Sequence, residues 1–410
     1  MTTDANGVPS VRIPAPLPEG VSQATIGVRG GLLRSGFDET AEGLYLTSGY
    51  VYDSAAEAEK AFTGEIDRFV YSRYGNPTVA MFEERLRLIE GAEAAFATSS
   101  GMAAVFTGLG ALLGAGDRLV AGRSLFGSCF VVCNEILPRW GVETEFIDGT
   151  DLDQWERALS KPTTAVFFET PSNPMQSLVD IAAVSEMAHA VGAKVVLDNV
   201  FATPLLQQGL PLGVDVVIYS GTKHIDGQGR VLGGAILGDK EYIDGPVQTL
   251  MRHTGPALSP FNAWVLLKGL ETLSVRVNYS NASALRVAEF LEGHPGVRWV
   301  RYPFLASHPQ HDLAKRQMSG GGTVVTFELE APEGGGKQRA FEVLDKLSVI
   351  DISNNLGDAK SLITHPATTT HRAMGPEGRA AIGLGDGVVR ISVGLEGTED
   401  LIADLDRALS

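Results

Sequence analysis

From residue 92 to residue 238 the chain repeats one rhythm: a short apolar run, a polar turn, then apolar residues recurring every three to four positions. The short runs predict strands at 93–97, 118–121, 143–147, 164–169, 194–198 and 234–237, with another opening the stretch Asp215-Val216-Val217-Ile218-Tyr219. The longer periodic stretches predict helices at 102–113, 128–137, 152–159 and 181–191. Strand and helix alternating at this spacing imply an α/β fold built on a mostly parallel sheet.

The texture changes near Ser259. A long helical stretch at 261–291, interrupted around 279–281, is followed by strands at 297–302, 323–329 and 388–393 and helices at 313–318, 338–347 and 400–409. That order predicts a separate, smaller C-terminal α+β domain. Residues 1–70 have weak periodicity, with one short helix at 54–61, and read as an arm too poor in apolar residues for its own core. The arm ends in the turn-forming Tyr71-Ser72-Arg73-Tyr74-Gly75-Asn76-Pro77-Thr78, with Thr78 as the expected cap of an amphipathic helix at 79–90. The division expected is therefore an arm at 1–70, an α/β domain at 71–260 and an α+β domain at 261–410.

Composition narrows the partners. The 410 residues are 44% hydrophobic and 20% charged, as in a globular chain with more than one small core, and the net charge is −16. Such an acidic balance argues against nucleic acid or an anionic membrane as the main partner. No apolar run approaches the roughly 18 residues that span a bilayer, and residues 1–20 lack the basic and apolar regions of a secretory signal. Cys129 and Cys133, one helical turn apart, suit neither a disulfide nor a metal site and read as small core hydrophobes. A soluble, cytoplasmic protein without a structural metal is expected.

Ligands of a parallel sheet gather beyond the carboxyl ends of its strands. Asp198 ends one predicted strand, and Lys223 follows the next in Ser220-Gly221-Thr222-Lys223-His224. An anionic aspartate stabilises a protonated pyridine nitrogen, and a lysine amine condenses with an aldehyde to a Schiff base; together they are the arrangement of pyridoxal phosphate (PLP) enzymes. Lysine taken alone is usually exposed, so the pair and not the lysine carries this reading. Ser99-Ser100-Gly101-Met102 precedes an apolar helix whose first amides make an anion site, with Ser220, Thr222 and Arg73 as further phosphate ligands. A plainly capped helix would have the same local sequence.

Six motifs now stand in one order: Tyr71 to Thr78, Ser99 to Met102, Glu169-Thr170-Pro171-Ser172-Asn173-Pro174, Asp198-Asn199, Ser220 to Lys223, and Val389-Arg390-Ile391-Ser392-Val393-Gly394-Leu395-Glu396. From about Tyr71 onward the chain resembles the Cys/Met-metabolism PLP enzymes of fold-type I, the trans-sulfuration group of synthases, lyases and homoserine-ester sulfhydrylases. The resemblance implies that Lys223 holds PLP, that Asp198 pairs with its ring nitrogen, and that Asn173 lies near its ring oxygen. It further implies phosphate ligands in Gly101, Met102, Ser220 and Thr222, with Tyr71 and Arg73 reaching in from a neighbouring subunit of a homotetramer. Arg390 would then grip the substrate α-carboxylate.

Two departures bear on the reaction. Phe126, in Leu125-Phe126-Gly127-Ser128, stands where many relatives stack a tyrosine on the ring, so a ring can stack but no hydroxyl is offered. Asn355, in Asn355-Leu356-Gly357-Asp358, replaces the serine that commonly contacts substrate or lysine. With Ser128 where methionine γ-lyases tend to carry cysteine, both features count against a methionine-degrading lyase. The loop Gly227-Gln228-Gly229-Arg230, together with Leu-Phe-Gly-Ser, is similar to that of O-succinylhomoserine sulfhydrylases, and Arg230 is a candidate to neutralise a leaving succinate. A glycine loop with one exposed arginine reads equally well locally.

The expected activity is γ-replacement on O-succinylhomoserine by sulfide, giving homocysteine and succinate in methionine biosynthesis, with Lys223 carrying protons between Cα and Cβ. Cystathionine γ-synthase and O-acetylhomoserine sulfhydrylase are the enzyme alternatives. A nucleotide-binding α/β protein without covalent chemistry is the alternative of another class.

Overall fold

The computed structural model describes residues 13–410; residues 1–12, part of the stretch read for a secretory signal, lie outside the described residues. A seven-stranded sheet forms from β1 (Ala94–Thr98), β2 (Arg118–Gly122), β3 (Glu143–Ile147), β4 (Ala165–Glu169), β5 (Lys194–Asp198), β6 (Val216–Ser220) and β7 (Gly234–Gly238), in spatial order β1-β7-β6-β5-β4-β2-β3. Only β7 runs antiparallel to its neighbours, so the sheet is mostly parallel as expected. Alternate residues of β6 enter different cores: Val217 and Tyr219 pack on one side with Val195, Leu197 and Phe168, and Val216 and Ile218 on the other with Val196 and Phe167. A sheet buried on both faces explains why these strands read as unbroken apolar runs.

A second sheet forms from β8 (Val297–Arg301), β9 (Val324–Leu329), β10 (Asp351–Ile352), β11 (Leu362–Thr364) and β12 (Val388–Ser392), in order β10-β11-β12-β9-β8. The pairs β11–β12, β12–β9 and β9–β8 are antiparallel, while β10 and β11 run parallel. β10 and β11 have only two and three residues, too short for an alternating pattern to emerge from the sequence.

Three local expectations fail for identifiable reasons. The long helical stretch is two helices, Pro260–Glu271 and Leu273–Glu292, and it breaks at Thr272, not at 279–281. The polar residues there find partners off the helix: Ser280 Oγ donates to Gly394 O at 2.9 Å, and Asn281 Oδ1 accepts from Gly322 N at 3.0 Å. The helix therefore runs through them. Thr78 is not the cap of its helix; Asn76 accepts from Thr78 N at 2.9 Å, and Pro77 occupies the first turn of Pro77–Glu90. The Thr78 hydroxyl instead ties down the arm, donating to Gly43 O and accepting from Tyr45 N. The arm also docks through a helix at Gln23–Arg29, absent from the sequence reading, and through Glu42, whose carboxylate pairs with the fully buried Arg85 and with Lys268.

Candidate active site

The carboxyl ends of β4, β5 and β6 and the helix after β1 converge on one cavity of about 720 Å³. Glu169 and Asp198 are register partners at the ends of β4 and β5, and both side chains line it. Beyond β6 the chain turns at once, and Lys223 Nζ donates to Asn355 Oδ1 at 2.5 Å across from the C-terminal sheet. Burial, aided by the charge of Arg390, pulls the Lys223 amine down to about 8. A tenth of such amines are neutral near pH 7, as a nucleophile or proton carrier requires.

Arg390 is 1% exposed on β12. Its Nη1 donates to Asn173 Oδ1 at 2.8 Å and its Nη2 to Asn354 O at 2.8 Å, while Nε is buried without a hydrogen-bond partner. A guanidinium held on two corners with a spare buried donor is set for an anion. Burial lowers it to about 10, and Glu169 acts in the opposite sense. Asp198 is raised to about 6 by burial, against one hydrogen bond from Val200 N. Burial and the neighbouring Asp198 push Glu169 well above the usual carboxylate range, although Phe126 N and Asn173 N donate to it.

At the other end of the cavity, Ser100 caps the helix Gly101–Gly110, and Gly101 and Met102 present first-turn amides to the cavity wall. Position 101 admits only glycine, because a Cβ there would lie 2.6 Å from Ser220 Cβ. Ser220 and Thr222 line the same end, and the Thr222 hydroxyl meets Gly233 across the loop.

These residues fit a PLP molecule. Glu169 lies within the influence of the buried Arg390 guanidinium, and a protonated pyridine nitrogen would supply the cation at the adjacent, buried Asp198. Phe126 offers a ring to stack on, Lys223 an amine for the aldehyde, and the Gly101–Gly110 helix start an anion site for the phosphate.

The sequence profile of the Cys/Met metabolism PLP-dependent enzymes matches residues 24–410. The chain belongs to this family. O-succinylhomoserine sulfhydrylase of Mycobacterium tuberculosis (strain ATCC 25618 / H37Rv) is 84% identical over 401 residues, covering 98% of this chain and 99% of that protein. The Pseudomonas aeruginosa enzyme of the same name is 49% identical over 393 residues, 96% of each chain. Among solved structures, a putative O-acetylhomoserine (thiol)-lyase from Campylobacter jejuni bearing a pyridoxyl-lysine superposes with a TM-score of 0.90 at 31% identity, over 95% of this chain and 100% of that one. The protein is thus a PLP-dependent enzyme of the trans-sulfuration family with the fold-type I architecture, and a nucleotide-binding protein without covalent chemistry is set aside.

Nine residues singled out in the sequence share the cavity wall, namely Gly101, Met102, Phe126, Asn173, Asp198, Ser220, Thr222, Lys223 and Arg390. Asn355 joins them through Lys223. Arg230 does not. Its Nε donates to Asp226 Oδ1 at 2.8 Å and its Nη2 to Asp226 O at 2.9 Å, which holds the guanidinium within the loop after Lys223 and off the described cavity wall. Tyr71 and Arg73 also lie off this chain's cavity wall: Tyr71 is 41% exposed, and Arg73 packs over the Tyr71 and Tyr74 rings while donating to Arg252 O. Glu169 and His371 are the additions. Glu169 was findable by the strand-end rule that picked out Asp198; His371, buried against Asn173 O at 3.1 Å, stands on a stretch with no periodic signal.

Proposed function

We propose that this chain catalyses γ-replacement on O-succinylhomoserine with sulfide, forming homocysteine and succinate in methionine biosynthesis. The observation that carries this reading is 84% identity, over 98% of the chain, to a curated O-succinylhomoserine sulfhydrylase. When bound, PLP supplies the electron-accepting ring that makes the substrate Cα–H and Cβ–H acidic.

The chain's own residues do the rest. Arg390 fixes the substrate α-carboxylate as a planar fork, which orients Cα–H toward Lys223. The Lys223 amine, lowered to about 8, is the group that would remove a proton from Cα and one from Cβ before the leaving group departs and return both afterwards, so one group serves both positions. Asn355 holds the amine by a neutral acceptor, which leaves it free to change protonation. At Cγ the C–O bond breaks, succinate leaves with the bonding pair, and a C–S bond forms to hydrosulfide, whose remaining proton stays on the thiol of homocysteine. Asp198 is the buried carboxylate that would hold the ring nitrogen in its protonated form. Phe126, on the cavity wall, would stack on the ring without offering a hydroxyl, so the proton traffic would fall to Lys223.

Tyr71, exposed on this chain, and the half-buried Arg73 complete the phosphate site of a neighbouring subunit in a cytoplasmic homotetramer. Among the described residues no helix is long and apolar enough to cross a membrane. Steady-state kinetics with succinyl- and acetylhomoserine, each with sulfide and with cysteine, test the reaction. Succinylhomoserine with sulfide should give the highest kcat/KM. Faster turnover with cysteine than with sulfide at equal concentration would overturn it in favour of cystathionine synthesis.

A further inference from the structure

Glu169 sits in the motif Glu169-Thr170-Pro171-Ser172-Asn173-Pro174, yet the reaction above gives it no part. It is 5% exposed, and both carboxyl oxygens are used. Phe126 N donates to Oε2 at 2.8 Å, and Asn173 N donates to Oε1 at 3.0 Å. The two donors come from segments 47 residues apart in sequence, and each carries a group that faces the cavity. Phe126 presents the stacking ring. Asn173 passes its position on, since its Oδ1 accepts from Arg390 Nη1 at 2.8 Å.

We propose that Glu169 is a positioning residue that sets the stacking ring and the carboxylate-binding fork in one frame. Helix entry alone does not fix Phe126, because Phe126 starts the helix Gly127–Val131 without any side-chain cap. Its amide would be an orphan donor if Glu169 did not accept it. Asn173 is held from a second side, where His371 Nε2 donates to Asn173 O at 3.1 Å. A carbonyl only accepts, so Nε2 carries the proton, and Nδ1 accepts from the Thr370 hydroxyl at 2.8 Å. Burial and the charge of Arg390 keep this imidazole neutral, pulled down to about 4. Glu169 and His371 therefore clamp the Asn173 peptide from opposite ends, and Arg390 inherits that alignment.

The carboxylate is the one side chain that fits both donors. Glutamine accepts with its oxygen but turns an NH₂ toward the second N–H. Aspartate is one methylene short of bridging two segments that lie apart. The frame thus predicts different losses from Glu169→Gln and from substitutions that merely weaken the fold.

The experiment uses the PLP-loaded enzyme and its Glu169→Gln and Glu169→Asp variants, with thermal unfolding as a check of folding. Two readouts are taken: the visible circular dichroism of bound PLP, and the dissociation constant for L-alanine from spectral titration. Alanine presents an α-carboxylate but has no group to lose from Cγ, so binding is separated from turnover. In folded Glu169→Gln, the dichroic band should change in intensity and alanine should bind about tenfold more weakly, the scale of one misaligned hydrogen bond to a charged group. A folded variant with unchanged dichroism and unchanged alanine affinity overturns the proposal. So does a variant whose only change is a lower melting temperature, because a merely structural glutamate would behave that way. This inference rests on the PLP site, not on the choice of ester or nucleophile. If the wild type fails to turn over O-succinylhomoserine while the alanine and dichroism results hold, the proposed reaction fails and the frame stands.

Discussion

The contact between Lys223 and Asn355 offers a direct lever on the acid–base chemistry. Replacing Asn355 by aspartate keeps the size and puts a formal charge where Lys223 Nζ now meets a neutral oxygen at 2.5 Å. In the wild type, burial has lowered the amine from 10.5 to about 8. At pH 7 that leaves roughly one amine in ten neutral, against about one in three thousand for an unperturbed lysine, a gain of about 300-fold. An opposite charge at hydrogen-bond distance raises such a pKa by about 1–3 units, or about 1.4–4 kcal/mol. The sign is definite: the neutral fraction grows with pH, so a raised pKa moves the whole profile to higher pH. The assay is the rate at which PLP-free enzyme takes up PLP, followed by the visible band, between pH 6.5 and 10. The wild-type rate should rise with a midpoint near 8. Asn355→Asp should shift that midpoint upward by about 1–3 units and slow uptake at pH 7 by about ten- to a thousandfold. A wild-type midpoint near 10, or an aspartate variant with an unmoved midpoint, would refute the argument that burial beside a neutral acceptor activates Lys223.

Two further outcomes are expected. Arg390→Lys keeps the charge but cannot span Asn173 Oδ1 and Asn354 O while presenting a third donor, so the KM for O-succinylhomoserine should rise about 10- to 100-fold with kcat changed far less; an unchanged KM would rule out the fork. Mixing inactive Lys223→Ala chains with inactive Arg73→Ala chains should restore about a quarter of the wild-type activity, since half of randomly formed dimers are mixed and each holds one complete site; verified mixed dimers without activity would show that Arg73 serves its own chain or none.

The legibility of the site followed the range of the interactions involved. Asp198, Lys223 and Gly101 lie at the ends of strands or the start of a helix, and the rule that ligands gather at the carboxyl edge of a parallel sheet depends only on local pattern. Arg230 shows the limit of that reasoning. The sequence places a guanidinium seven residues from the lysine, and only the conformation of the loop shows that its Nε donates to Asp226, four residues back and fully buried, at 2.8 Å. Thr78 and Asn76 make the same point at smaller scale, because both are competent caps: the arm takes up the Thr78 hydroxyl, and the Asn76 amide oxygen accepts from Thr78 N at the helix start.

What the sequence alone determined is the scaffold and the chemistry. Apolar runs of strand length alternating with helical periods dictate a two-faced buried sheet, and a lysine, an aspartate and a glycine-led helix at its carboxyl edge dictate a PLP site. What only the tertiary structure decided is alignment across distance. Lys223 meets Asn355 from 132 residues away, Arg390 takes its direction from Asn173 across 217, and Glu169 joins Phe126 to Asn173. Such contacts depend on how segments far apart in sequence are brought together, and hydrogen bonds sensitive to a few tenths of an ångström leave no periodic trace in the order of residues.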